Sequence, residues 1–261
     1  MTSVARGAPD RPAVGRRAAL IAGGLTVAVL AALAAVSKNR ILELWWLRRI
    51  RAGDVEEKRE AVRRLARLGS RRAVPAILGA AADLEDPALL DEALEEIGPG
   101  AGRAVLRSYP ELEGRVRPIA LQVLGSRPVD PDAIPDLIAA IEDPRFPELR
   151  EPAIRQLAGL RSAARSAGEA LVRVVRSTDG NLHLRALWAL RSVDADPALQ
   201  VPAFREALGD ASPEARHEAA YSLGLLGDDA RPALPALRKV AAGDPDEDVR
   251  KIAAWAVEQV E

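Results

Sequence analysis

His183 and His217 are the only imidazoles in the 261-residue sequence, and no cysteine accompanies them. They stand one residue out of phase in a spacing of 33, so consecutive units of a repeat could turn them toward each other. Such a pair could hold a metal or pass a proton. No carboxylate cluster with ligand spacing goes with them, however, and two boundary or surface histidines are the plainer expectation. The acid runs 83–86 and 244–248 could invite calcium, but they lack the glycine and distal glutamate of an EF-hand loop and read as turn caps. Trp188 and Trp255 fall in helical patterns that predict core packing rather than ligand stacking. Serines and threonines are few and form no nucleophile elbow, and no glycine-rich phosphate loop is present. The absence of cysteine excludes disulfides and thiolate metal sites. No cofactor, metal site or small-molecule substrate is expected.

The elements that position these residues are more legible than any chemistry. Lys58, Leu90, Arg117, Arg150, His183, Arg216 and Arg250 occupy equivalent places, separated by 32, 27, 33, 33, 33 and 34 residues. The clearest copy has a turn at Gly209-Asp210, then Arg216, Ala219-Ala220, Leu223-Gly224 and Leu226-Gly227. A sustained period of this length marks a solenoid, in which each unit buries its apolar face on its neighbours. Apolar residues make up 48% of the chain but aromatic ones only 3%, which favours closely packed helices over sheets.

Each unit reads as two helices. Asp86-Pro87, Asp143-Pro144, Ser212-Pro213 and Asp244-Pro245 predict starts for the first helix, because Asp or Ser caps free N–H groups and proline suits the first turn. Asp244 with Glu247 has capping-box spacing. Gly69, Gly98 and Gly227 predict helix ends in left-handed backbone. Pro75, Pro135, Pro202 and Pro235 mark starts for the second helix.

These residues resemble the HEAT-repeat family in its short, phycobilin-lyase-like form. The resemblance rests on Asp210, Ala215-Arg216, Ala219-Ala220, the run 223–227 and Ala233-Leu234-Pro235, then on Asp244, Val249-Arg250 and Ala253-Ala254. It spans residues 54–261 and is weakest between 84 and 110, where the unit is short and Leu90 replaces the basic residue. It implies an all-α, right-handed α-solenoid of six HEAT-like helical pairs, closed by a capping helix from Val249 to Val260. It also implies that the recurrent basic side chain packs at the repeat boundary against turn acids, Arg216 with Asp210 and Arg250 with Asp244 or Asp246. One unit departs from the pattern by placing His183 there, which leaves its rung of the ladder open.

The N-terminal fifth differs. Residues 1–51 hold nine Lys or Arg against Asp10 and Glu43, whereas residues 52–261 hold 28 basic and 36 acidic side chains. Between Ala18 and Val36 the only polar side chain is Thr26, and as a helix this stretch is about 28 Å long. The pattern predicts a disordered basic tail at 1–17, a single transmembrane helix at 18–36 and a juxtamembrane amphipathic segment at 37–53 that includes Trp45 and Trp46. The expected location is therefore a membrane, single-pass; basic residues on both sides of the span leave its orientation open, with a lean to the N-terminus inside. The acidic repeat region disfavours nucleic acid, which needs clustered Lys and Arg.

Extended solenoid surfaces bind proteins. The expectation is thus a membrane-anchored, non-enzymatic interaction scaffold or assembly factor, with a protein partner on the concave face. The alternative implied by the resemblance is a tetrapyrrole (phycobilin-type) lyase or chaperone. Arg173, Arg176, Arg205, Arg238 and Lys239 fall on second helices and are the candidate partner-binding strip, suited to an acidic segment.

Overall fold

The computed structural model describes residues 38–261, which are helical and contain no strand. A helix over residues 38–52, α1, leads into thirteen more: α2 (Val55–Arg67), α3 (Val74–Leu84), α4 (Pro87–Ile97), α5 (Gly100–Ser108), α6 (Val116–Ser126), α7 (Ile134–Glu142), α8 (Arg150–Leu160), α9 (Gly168–Ser177), α10 (Gly180–Ser192), α11 (Pro197–Ala207), α12 (Pro213–Leu226), α13 (Leu234–Gly243) and α14 (Glu247–Val260). From α2 onward the even-numbered helices are first helices and the odd-numbered ones second helices. First helices pack on first helices along α6, α8, α10, α12 and α14, and second on second along α3, α5, α7, α9 and α11. One continuous apolar core runs between the two rows from Ile50 to Val260. Each fully buried Leu or Ile in it, such as Leu65, Ile154 and Leu171, contributes about 1.5–3 kcal/mol, which outweighs the weak helix propensity of short helices.

One seam breaks the rule. The first helices α4 and α6 barely touch, and α6 leans instead on α3 and α5. The step between their reference positions, Leu90 and Arg117, is the short one of 27 residues.

Local chemistry sets most helix limits. Asp86 accepts from Leu89 N–H and Ser212 from Ala215 N–H, capping α4 and α12. Gly69, Gly98 and Gly227 close helices with φ of +62°, +80° and +54°. Three expected starts are displaced. Asp143 does not open α8, because its carboxylate is taken by Arg145, and α8 begins at Arg150 after a 3₁₀ turn at Pro147–Leu149. Pro202 lies inside α11, which starts earlier because Asp196 accepts from Ala198 N–H ahead of Pro197. The final helix is capped by Asp246 rather than Asp244 and begins two residues before the expected Val249.

The expectation of a single-pass membrane protein is corrected: among the described residues no helix is long and apolar enough to cross a membrane. The predicted span 18–36 and tail 1–17 lie outside the described residues.

Candidate interaction surface

The recurrent basic residue is the best-defined polar feature. Arg216 reaches back to the carbonyls of Asp210 and Ala211, at 2.9 and 3.0 Å, and forward to both carboxylate oxygens of Asp244, at 2.8 and 2.9 Å. Arg250 repeats the backward half on the carbonyls of Asp244 and Pro245. The acid partner is therefore that of the following turn, and Asp210 serves Arg216 through its carbonyl, not its carboxylate. Lys58 likewise reaches forward to Asp83 at 2.9 Å. Hydrogen bonds from Arg216 hold the Asp244 carboxyl below the usual carboxylate range, against the opposing effect of burial.

His183 keeps only part of the ladder, because its Nε2 makes no hydrogen bond. Its Nδ1 donates to Val175 O at 2.8 Å, and its Nε2 faces Asp210 Oδ2 at 3.4 Å. It is buried and joins α9, α10 and the turn before α12. His217 is exposed and lines a groove with Trp188 between α10, α12 and α14, so the two imidazoles have separate surroundings. No group of three His, Asp or Glu among the described residues could hold a metal ion. Trp255 stacks on Tyr221 with ring centroids 5.6 Å apart, close to the core expectation. Trp188 departs from it: the side chain is 43% exposed because it points away from its buried neighbours Leu187 and Leu190.

The five candidate partner-binding residues are exposed on three successive second helices: Arg173 and Arg176 on α9, Arg205 on α11, Arg238 and Lys239 on α13. They do not make a uniform basic strip. Arg173 pairs with Glu142 of α7, Arg176 with Glu206 of α11 at 3.3 Å, and Arg238 with Glu261 at 2.6 Å. Each pair ties a second helix to a neighbouring segment. Arg205 borders a cleft of about 490 Å³ with Asp196 and Asp229, and among the described residues neither it nor Lys239 has an ion-pair partner within 4 Å.

Two surfaces went unseen in the sequence. On the second-helix side, Arg71, Arg72, Arg103 and Arg107 line a groove of about 360 Å³. Arg103 and Arg107 share Asp136, at 2.7 and 2.9 Å; burial alone would raise this carboxyl, but hydrogen bonds from Arg107 and Arg103 bring it below its ordinary value. On the first-helix side a cleft of about 240 Å³ opens at the seam between α4 and α6. The 27-residue step is its only trace in the sequence.

Residues 168–258 match the family model for HEAT repeats. No curated protein matches the chain. Among solved structures, an engineered protein is similar at 21% identity over 88% of this chain and 70% of its own, with a TM-score of 0.52. A computationally designed armadillo repeat protein for modular peptide recognition is similar at 17% identity over 83% of this chain and 99% of its own, also with a TM-score of 0.52. Neither is a phycobilin lyase, and the lyase alternative gains no support from these likenesses. At such identities they speak to the fold alone. Residues 168–258 are thus similar to HEAT repeats, and the described chain shares a repeated helical fold with these two structures.

Proposed function

We propose that this protein is a non-enzymatic interaction scaffold that holds a partner protein against its second helices. The observation that carries the reading is the row of second helices α7, α9 and α11, continued by α13 beyond a 3₁₀ segment, which presents exposed charged side chains repeat after repeat. The designed armadillo protein of similar fold, made for modular peptide recognition, supports a peptide-like ligand. An acidic segment is the fitting one: Arg205 and Lys239 offer unpaired charge, and Arg176 could exchange Glu206 for a carboxylate of the partner.

The test is affinity purification of cross-linked, tagged full-length protein beside the triple variant Arg176→Ala, Arg205→Ala, Lys239→Ala. A reproducible partner should bind the variant at least tenfold more weakly, about 1.4 kcal/mol. Equal binding by the variant would remove the second-helix surface as the docking face.

A further inference from the structure

We propose that the cleft between α4 and α6 is a receptor for an arginine side chain presented by a partner protein. Its inner walls are apolar, from Ala81 and Ala82 of α3, Leu90 of α4 and Ile119 and Val123 of α6. The carboxylates Glu85, Asp86 and Asp91 line it as well, with Gln122 and Ser126. The volume, about 240 Å³, exceeds the roughly 150 Å³ that suffices for a benzene-sized occupant.

The repeats themselves indicate the occupant. At the place of Leu90 the other units carry Lys58, Arg117, Arg150, His183, Arg216 and Arg250. Where that side chain is fully engaged, as at Arg216, an aliphatic stem lies along the first helix and the guanidinium grips two turn carbonyls and a carboxylate. The Arg216 side chain is only 11% exposed there. In the second unit Leu90, itself buried, stands where the cation stands elsewhere, and the short step of 27 residues goes with an α6 that packs on α3 and α5 rather than on α4.

The charge around the cleft points the same way. Its lining holds three carboxylates, Glu85, Asp86 and Asp91, and no basic residue. Arg59 lies 3.3 Å from Asp86, and Arg127 bridges the far end by donating to the carbonyl and carboxylate of Asp91. Glu85 is exposed, held in left-handed backbone at φ 52°, and in no ion pair among the described residues. A planar guanidinium with an apolar stem suits such a lodging better than a lysine ammonium, because its fork of N–H donors serves carboxylate and carbonyl together.

The experiment is selection of phage-displayed random dodecapeptides on the full chain, followed by affinity measurement of the selected peptides by fluorescence anisotropy. Arginine-enriched peptides are expected. They should bind at least tenfold more weakly to Leu90→Arg, which fills the cleft from within, and to the double variant Glu85→Gln, Asp91→Asn. Should Leu90→Arg fail to fold by circular dichroism, the double variant decides alone. Failure to enrich any peptide, enrichment of acidic peptides only, or binding that either folded variant leaves unchanged would overturn the proposal. Such a failure leaves the second-helix reading standing, since that rests on Arg176, Arg205 and Lys239.

Discussion

Arg216 and Asp244 form the most enclosed ion pair described, with side chains 11% and 5% exposed. Removing one member of a buried pair strands the other, so Asp244→Asn is expected to cost about 3 kcal/mol in urea unfolding at pH 7. The folded-state pKa of Asp244 is lowered, so its contribution is present above the unfolded carboxylate value and is lost as pH falls through the folded one. The gap between wild type and Asp244→Asn should therefore narrow on acidification. A gap that stays constant from pH 7 into the acid range would show that the charge of Asp244 is not what stabilises. Gly224 presents a second, steric case. A Cβ there would lie 2.4 Å from the Trp255 ring, so Gly224→Ala should displace the indole and cost about 1–3 kcal/mol, visible as a change in tryptophan emission and a lower unfolding midpoint.

Helix starts show what a sequence can and cannot disclose at the scale of elements. Ser212-Pro213 and Asp86-Pro87 were readable because the capping oxygen is the one the motif names, three residues before its N–H partner. Ser212→Ala should cost about 1 kcal/mol of stability, measured by thermal or urea unfolding. Asp143-Pro144 has the same letters, but Arg145 captures the carboxylate with both its backbone N–H and its guanidinium, which the motif does not foretell. The two rows of helices followed from the period and the apolar spacing. The residues from Arg173 to Lys239 lie on second helices, as their spacing placed them, but the pairing of Arg173, Arg176 and Arg238 was invisible. Glu142 and Glu206 lie 31 and 30 residues from the arginines they hold, on neighbouring second helices. Trp188 misled for a related reason: adjacent apolar residues on one helix turn differ by about 100° in direction, so Leu187 can be buried while the indole is not.

Across the whole molecule, stability in a stacked array is a sum of units and the interfaces between neighbours. The seam between α4 and α6 is the weakest first-helix interface described, since those helices barely meet. Hydrogen exchange is expected to show α1 to α4 opening as a unit at lower free energy than α8 to α14. Uniform protection from α2 to α14 would contradict that ranking. The opposite end is closed by α14, which packs on both α12 and α13. Deleting residues 246–261 should bare the apolar sides of α12 and α13 and yield aggregation in size-exclusion chromatography. The ladder also bears on how such a chain could lengthen. Arg216 grips its own turn behind and Asp244 ahead, and the carbonyl of Asp244 in turn receives Arg250. A tandem copy of residues 212–245 would thus meet a matching joint at either end, so an unequal crossover in this stretch could add a unit and leave the core continuous. The same accident at the 27-residue step would reproduce the open seam, which makes the C-terminal half the natural place for the array to grow.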